Sequence, residues 1–343
     1  MKKIKVLLSF FRDENSKITL SRVYKELSQV DWIDLHVIGY FSHMPEHIPY
    51  EFNMDCLLDI YSNRTINRME MVFQKEHFLF NQYMKDLKPD IVLTDFDFYT
   101  TDAAICCEYP IVAISSKIIQ INLMNSAHSS LPHKFQNRIM RLFLCYYDMC
   151  KFLEPRRLCY SHVGDMCEIR GYDHIIRPYH EIYEDTQSDK VLFLFRNALP
   201  HIEWLKKYKN HILYTESPIF IEGMKVRNMF DDEYFEDLSA CKYIVSDGNE
   251  MAACDAYYNK KYTYIINHSF SNFDSDVFES FKFQSAYIME RNGRGKIIRD
   301  DIETMDLASL DFPRLKMRIT KRKKSNRRYV SDITTHLRQR FFK

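Results

Sequence analysis

Residues 243–267 read YIVSDGNEMAACDAYYNKKYTYIIN, and most of the architecture can be inferred outward from this stretch. Its apolar start is typical of a buried strand, the Ser-Asp-Gly-Asn turn at 246–249 ends that strand, and the spacing that follows predicts a helix. Gly248 is one of only seven glycines, and it stands where the backbone must turn tightly. Because a helix N-terminus exposes unpaired N–H groups with a partial positive charge, the turn is suited to holding a phosphate.

Asp255 follows Gly248 by seven residues, which is about two helical turns. At that distance its carboxylate is placed to accept hydrogen bonds from the hydroxyls of a ribose while a diphosphate lies at the start of the helix. The alternative is an ordinary strand-to-helix turn in which the glycine fits the backbone and Asp255 is solvated. The spacing alone leaves both interpretations open.

The same alternation of strand and helix patterns occupies two long arrays, 3–115 and 190–267. The predicted strands are 3–11, 34–41, 90–96, 110–115, 190–195, 211–216, 242–246 and 262–267, and the predicted helices are 16–30, 66–87, 100–109, 200–209, 231–241 and 249–260. Thr100 or Thr101 is expected to cap the N-terminus of its helix. Such alternation predicts parallel sheets that are covered by helices on both faces.

A polar segment, 170–190, separates the two arrays and reads as a linker, since it contains Pro178 and few apolar runs. We therefore expect two Rossmann-like α/β domains that face each other across a cleft. The expected divisions are an N-terminal domain over 1–178, a C-terminal domain over 179–312 and a basic helix or tail over 313–343.

Composition excludes several classes of binding site. No glycine precedes Gly39, so the first strand–helix turn is not a dinucleotide-binding GxGxxG, and no GxxxxGK[ST] occurs. The nine cysteines form no CxxC pair, which argues against a zinc site. No apolar run approaches the ~20 residues that a membrane-spanning helix needs. Charge is uneven, because 316–343 carries a net charge of +10 and the remainder a net charge of −9.

Several residues of the 243–267 stretch match a known donor-binding signature. That signature is a strand followed by Ser-[Asn/Asp]-Gly-Gly, a short helix that carries Ser-Glu-Ala, and then Gly-Lys-Pro. Here 246–248 match, Asn249 replaces the second glycine, Cys-Asp-Ala at 254–256 keeps the acid, and Lys261 stands in the lysine position. The stretch resembles the GT-B glycosyltransferases, the group that contains MurG-type enzymes and related nucleotide-sugar transferases.

The resemblance implies a role for each matching residue. The domain over 1–178 would hold the acceptor, and the domain over 179–312 would hold the nucleotide sugar. The implied donor contacts are Asp255 with the ribose, the backbone of Gly248 and Asn249 with the diphosphate, Met229 and Phe230 with the nucleobase, and Asp274 and Ser275, in place of an acid–Gln pair, with the sugar. Arg196 is the candidate for charge-assisted binding of the diphosphate, with an exposed loop arginine as the alternative.

The base that removes the acceptor's proton should come from the N-terminal half, at the carboxyl ends of its strands. Asp97 is the first candidate and Asp13 the second, and for each the alternative is a solvated or capping carboxylate. The pair Asp95-x-Asp97 has another interpretation. In the other large glycosyltransferase fold, GT-A, such a pair holds a divalent metal through hard oxygen ligands.

Together, the residues and the resemblance predict a glycosyltransferase of GT-B type. It is expected to invert the configuration at the anomeric carbon of the sugar and to need no metal. Its donor is expected to be a nucleotide-diphosphate sugar, with UDP as the first choice, which acts as a co-substrate, and no other cofactor is expected. The expected acceptor is a cell-envelope glycan or lipid. Two alternatives stay open: transfer to hydroxymethylated bases of viral DNA, and a protein that binds a nucleotide sugar without turning it over.

The basic segment 316–343 is more charged than a packed helix requires. We expect it to contact a polyanion such as nucleic acid, or anionic lipid, with a solvated terminus as the alternative. The expected location is cytoplasmic, and peripheral attachment to the inner membrane face fits the same charge.

Overall fold

The chain forms two compact units. The first comprises Met1–Arg177, Ser275–Val277 and Asn326–Lys343, and the second comprises Pro178–Asp274 and Phe278–Ser325. The residues that this computed structural model describes are 3–10, 14–40, 44–45, 47–56, 75–95, 97–114, 159–160, 189–228, 231, 233–248, 252–253, 255–256, 259, 261–266, 286, 289–290, 293–298, 302–309 and 333–342.

The first unit is built on a parallel sheet. Its elements are β1 (Ile4–Phe10), α1 (Glu14–Leu27), β2 (Ile33–Gly39), β3 (Phe52–Asn53), α2 (Lys75–Leu87), β4 (Ile91–Thr94), α3 (Phe98–Cys106), β5 (Ile111–Ile114) and β6 (Cys159–Tyr160). The strand order is β3-β2-β1-β4-β5-β6, with Ser9 of β1 beside Thr94 of β4. The chain runs outward from β1 in one direction and from β4 in the other. The carboxyl ends of β1 and β4 therefore form a topological switch point, the place where open α/β sheets bind ligands.

The second unit repeats this arrangement. Its elements are β7 (Val191–Leu194), α4 (Ile202–Leu205), β8 (Ile212–Tyr214), β9 (Lys225–Arg227), α5 (Tyr234–Ala240), β10 (Tyr243–Ser246), β11 (Thr263–Ile266) and β12 (Gly295–Ile298). The order is β12-β11-β10-β7-β8-β9, and all pairs are parallel. Its switch point lies between β7 and β10, where Leu194 pairs with Ser246.

Aromatic side chains fill the core of the second unit. The rings of Phe193 and Trp204 meet edge to face at 5.6 Å between centroids. The Trp204 Nε1–H and the Tyr208 hydroxyl both donate to the carbonyl oxygen of Met305, at 3.0 Å each. Each fully buried large side chain contributes roughly 1.5–3 kcal/mol, so this cluster anchors the sheet from which the carboxyl-edge loops project.

The last described helix, α6 (Ile333–Phe341), belongs to the first unit and packs on α1. The backbone N–H of Thr334, in the first turn of α6, donates to Glu26 Oε1 at 3.2 Å. The Trp32 and Phe342 rings meet edge to face at 5.2 Å. A carboxylate at a helix N-terminus stabilises the helix, and here it comes from a neighbouring element.

The prediction of two Rossmann-like α/β domains is confirmed, but the predicted cap of α3 is wrong. Helix α3 begins at Phe98, and its N-cap is Asp97 rather than Thr100 or Thr101. Asp97 has extended backbone angles, and its carboxylate accepts the Thr100 N–H at 2.8 Å. A carboxylate reaches the N3 amide as well as a hydroxyl does, so the residue three positions earlier takes the capping position.

A second predicted helix is longer than the one observed. The helix expected over 200–209 contains α4, which ends at Leu205. Three-residue turns follow, in which the Lys207 N–H donates to the Trp204 carbonyl at 3.1 Å and the Tyr208 N–H to the Leu205 carbonyl at 2.9 Å. The Tyr208 ring packs on Trp204 at 4.8 Å between centroids. The helix predicted over 66–87 is observed over 75–87, and 66–74 lie outside the described residues. In the helix predicted over 249–260, residues 252–253 and 255–256 are helical.

Candidate functional site

One predicted site residue, Arg196, meets the turn after β10 at the switch point of the second sheet. Arg196 follows β7, and Asp247 follows β10 directly. The backbone N–H of Arg196 donates to Asp247 Oδ2 at 3.1 Å, and the N–H of Asp247 donates to the carbonyl of Leu194 at 3.2 Å. The Asp247 carboxylate therefore connects the two loops across the crevice, a contact that the sequence did not predict. Arg196 itself is exposed.

The glycine turn after β10 has the geometry that the sequence predicts. Gly248 has a φ of +87°, a conformation that residues with a Cβ adopt only under strain. Its N–H donates to Ser246 Oγ at 3.1 Å, and the residue is buried. The amide that the resemblance assigns to a diphosphate is thus already hydrogen-bonded, and a ligand would have to replace Ser246 as its acceptor.

The loops after β7 and β8 are joined to each other at the same edge of the sheet. The carbonyl of Arg196 accepts hydrogen bonds from Thr215 Oγ1 at 2.9 Å and from the Glu216 N–H at 3.1 Å. Ser217 Oγ donates to Asn197 Oδ1 at 3.1 Å, which fixes the residue after Arg196 as well. The backbone that carries Arg196 is therefore held by the loops after both neighbouring strands, which fixes where its side chain leaves this edge of the sheet.

Asp255 is helical and completely buried. Its carbonyl oxygen accepts the Asn259 N–H at 3.0 Å and the Asn259 side-chain amide at 2.9 Å. A buried carboxylate is hydrogen-bonded or binds a polar partner, because an isolated charge is too costly to bury. Its role with a ribose stays a prediction, and the ribose would have to reach it below the surface.

Lys261 is buried and has a structural function. Its Nζ donates to the carbonyls of Ser239 at 2.6 Å and Cys241 at 2.8 Å. These carbonyls lie at the C-terminus of α5, where a positive charge is favoured by the helix dipole. The matching lysine of the signature therefore stabilises the end of a helix in this chain.

The first candidate base, Asp97, is engaged at the switch point of the first sheet. It is fully buried. Its Oδ1 accepts the Tyr40 hydroxyl at 3.2 Å, and its Oδ2 accepts the Thr100 N–H and the Thr100 hydroxyl. The Thr100 hydroxyl also contacts Ser9 Oγ at 2.8 Å, so the carboxylate belongs to a buried polar network between β1, α3 and the end of β2. A group held in this way caps α3, and its role as a base stays a prediction.

The metal-binding interpretation of Asp95-x-Asp97 fits the geometry poorly, because both oxygens of Asp97 already accept hydrogen bonds. Within the described part of the chain, no group of three or more His, Cys, Asp or Glu side chains has the arrangement of a metal site. The remaining predicted site residues, Asp13, Met229, Phe230, Asn249, Asp274 and Ser275, lie outside the described residues. Among the described helices, none has the length and hydropathy required to cross a membrane.

Sequence reasoning missed the partners that hold these residues. Tyr40 and Thr215 give no signal in the sequence, because each acts through a contact with a residue that is distant in the chain or belongs to another strand. Ser246 belongs to the predicted turn, but its hydroxyl as an acceptor for Gly248 follows only from the geometry.

Comparison with known proteins gives the fold a name. No protein-family model and no curated protein matches the sequence. Among solved structures, the chain is similar to the Streptomyces sp. SF2575 glycosyltransferase SsfS6, at 13% identity over 86% of this chain and 87% of that chain, with a TM-score of 0.52. SsfS6 has also been solved in complex with thymidine diphosphate.

Two further structures show the same similarity. Acinetobacter baumannii MurG is 12% identical over 88% of this chain and 87% of that chain, with a TM-score of 0.51. The spinosyn forosaminyltransferase SpnP is 13% identical over 87% of this chain and 86% of that chain, with a TM-score of 0.52. At identities this low, the structural similarity establishes a shared architecture alone. The chain therefore has the two-domain, Rossmann-like GT-B fold of these glycosyltransferases.

Proposed function

We propose that the chain is a glycosyltransferase that takes its sugar from a nucleoside-diphosphate donor bound at the carboxyl edge of the second sheet. One observation carries the proposal: Arg196 and the Asp247–Gly248 turn meet at the β7/β10 switch point of a GT-B fold. That edge is where open α/β sheets bind ligands. The thymidine diphosphate complex of SsfS6, a protein with this fold, supports a nucleoside diphosphate as the ligand class.

The chemistry favours a cation at this place. An acceptor oxygen forms a bond to the anomeric carbon, and the bond from that carbon to the diphosphate oxygen breaks. The electron pair leaves with the nucleoside diphosphate, and the acceptor's proton passes to a base. Because negative charge grows on the leaving group, a guanidinium at Arg196 stabilises the transition state more than the ground state. The tethered backbone of Arg196 fixes the point on this edge from which its side chain would reach the donor.

A second candidate function is favoured by the state of Asp97. This carboxylate is buried, and both its oxygens accept hydrogen bonds, which an acceptor hydroxyl would have to displace. A protein that holds a nucleotide sugar without transferring it would need no base at that position.

Release of the nucleoside diphosphate from a panel of UDP- and TDP-sugars tests the proposal. Envelope glycans, lipids and hydroxymethylated DNA serve in turn as acceptors, with and without chelator, and the anomeric form of the product is determined. Wild type is expected to release nucleoside diphosphate with at least one pair, and Arg196→Met is expected to reduce the rate at least tenfold, about 1.4 kcal/mol. The matched control is Lys206→Met, which removes an exposed cation of the same unit whose partner is Glu203 at 2.6 Å.

The outcomes separate the candidates. A donor that binds but is never consumed supports the non-catalytic function. No binding of any donor, or equal rates for wild type and Arg196→Met, contradicts the proposal. Loss of turnover in chelator contradicts the metal-independent chemistry expected from the sequence.

A further inference from the structure

A pocket of about 300 Å³ lies between α1 and the edge of the first sheet. Three alternate residues of β2, Ile33, Leu35 and Val37, give it an apolar floor, since side chains at this spacing share one face of a strand. The end of α1 forms one wall, and segment 49–51, which leads into β3, forms the other. The volume is at the lower end of the range for small-molecule sites, roughly 300–1,000 Å³.

The pocket does not include the carboxyl ends of β1 and β4, where the switch point of this sheet lies. Its floor belongs to the first five residues of β2, which begins at Ile33. Helix α1 ends at Leu27, six residues before β2 begins, so its last turn lies beside the amino end of that strand. The chemistry proposed for the carboxyl edges therefore leaves this pocket without a function.

One carboxylate, Glu51, lines the pocket, and its side chain is 45% exposed. His36, which alternates with the floor residues along β2, places its Nδ1 2.7 Å from Glu51 Oε1. The Tyr83 hydroxyl donates to Glu51 Oε2 at 2.9 Å, and burial together with this hydrogen bond raises the pKa of Tyr83, so the hydroxyl remains a donor. Each carboxylate oxygen can accept a second hydrogen bond. Glu51 is therefore held in position and is still able to bind a donor from the pocket.

Charge around the pocket selects the sign of a ligand. The two segments that form it, 24–37 and 47–56, contain five carboxylates and one lysine. The lining residues all belong to the described part of the chain, and none of them is a lysine or an arginine. Tyr24 and Tyr50 line the pocket as well, and aromatic rings attract cations through their faces. These features favour a ligand that carries a positive charge on an apolar body.

We propose that this pocket binds a small organic ammonium ion, with the cation at Glu51 and the carbon skeleton over Ile33, Leu35 and Val37. The N–H groups of the ammonium would form charge-assisted hydrogen bonds with the free lone pairs of Glu51. The apolar floor would remove the carbon skeleton from water. A neutral molecule of the same shape gains only the second contribution, and an anion is repelled by Glu51. The site does not depend on glycosyl transfer, so a failure of one leaves the other intact.

Isothermal titration of the full chain with 2-phenylethylammonium and with its neutral counterpart, 2-phenylethanol, tests the proposal. Wild type is expected to bind the ammonium ion with a Kd of about 1 mM or below, and the alcohol at least about tenfold more weakly. Glu51→Gln should weaken binding of the ammonium ion about tenfold and change binding of the alcohol by less than about twofold. Tyr24→Ala, which removes a wall of the pocket, should weaken both. The matched control is Asp55→Asn, which removes an exposed carboxylate of the same segment that does not line the pocket. It should match wild type for both ligands.

Four results would overturn the site. They are no binding of the ammonium ion by wild type up to about 10 mM, equal affinity of wild type and Glu51→Gln for that ion, a loss in Asp55→Asn as large as in Glu51→Gln, and unchanged binding in Tyr24→Ala. Emission of Trp32 in a Trp204→Phe background reports whether each variant is folded, because Trp32 directly precedes β2. Should Glu51→Gln not fold, the salt dependence of wild type decides. Raising the salt from about 0.05 M to about 0.5 M must then weaken binding of the ammonium ion and not of the alcohol for the site to stand.

Discussion

Replacing Asp97 by alanine separates a structural carboxylate from a catalytic one. In the structure, Asp97 caps α3 and accepts hydrogen bonds from the Thr100 N–H at 2.8 Å, the Thr100 hydroxyl, and the Tyr40 hydroxyl at 3.2 Å. The substitution removes all three bonds inside a fully buried environment. The first unit should therefore lose a large part of its stability.

The magnitude follows from the bonds that are lost. Removing an N-cap costs about 1 kcal/mol. Each hydrogen bond from a hydroxyl to a charged acceptor contributes roughly 1.5–3 kcal/mol, although the Thr100 hydroxyl keeps its contact with Ser9. The expected total is about 4 kcal/mol, against a typical stability of roughly 5–15 kcal/mol. With a urea m-value of about 2 kcal/mol/M, the unfolding midpoint should fall by about 2 M.

The two tryptophans allow each unit to be followed separately, because Trp32 lies in the first unit and Trp204 in the second. In a Trp204→Phe background the remaining emission comes from Trp32 and reports the first unit. The midpoint of this signal is compared between the chain with Asp97 and the chain with Asp97→Ala. The Trp204 signal, measured in a Trp32→Phe background, should be unaffected.

A matched control is Asp86→Ala, which removes one exposed hydrogen bond with Gln82 and should change stability by less than about 0.5 kcal/mol. If Asp97→Ala shifts the Trp32 midpoint no more than this control does, the capping argument is refuted. If Asp97→Asn keeps the midpoint of wild type and abolishes turnover, the carboxylate is the base that the sequence predicted.

Three further substitutions test the geometry of the second unit by urea unfolding followed through Trp204. Gly248→Ala should cost about 1–2 kcal/mol, since a Cβ is strained at a φ of +87°, and an unchanged midpoint would contradict that conformation. Lys261→Met should cost about 2 kcal/mol by leaving the carbonyls at the end of α5 without their cation, and a neutral result would show that another donor replaces it. Burial and the nearby Lys190 lower the pKa of His211, and its Nδ1 accepts the Val191 N–H. The neutral imidazole therefore contributes its full stabilisation above the pKa that histidine has in the unfolded chain, and this stabilisation is lost as the pH falls below that value. His211→Gln should therefore flatten the fall in stability between pH 7.5 and 5.5, and parallel curves for the two chains would contradict the assignment.

The strands with buried faces could be predicted from sequence because each is a continuous apolar run. β7 (VLFL) and β10 (YIVS) are buried at every position, as central parallel strands are. β9 (KVR) and β12 (GKII) could not be recognised, since edge strands of three or four residues with a lysine have no distinctive periodicity. The prediction of a tight turn at Gly248 is confirmed, because a glycine directly after a buried strand allows the positive φ that such a turn requires.

The site could be predicted only in pieces. Arg196 and Asp247 are 51 residues apart, and their contact depends on a strand order that places β7 beside β10. The error at α3 has a local origin. Asp97, Thr100 and Thr101 are all residue types that can cap a helix, and the sequence does not show which of them does. The hydroxyl of Tyr40, directly after β2, donates to the Asp97 carboxylate from 57 residues away in the chain, a contact that no sequence pattern indicates.

Calorimetric titration of wild type and Arg196→Met with nucleoside diphosphates tests the account most directly. We predict that wild type binds UDP or TDP at a single site per chain, and that Arg196→Met weakens this binding at least tenfold, about 1.4 kcal/mol, while Lys206→Met does not. Absence of binding by wild type, or equal affinity of wild type and Arg196→Met, would contradict the assignment of the β7/β10 edge as the donor site.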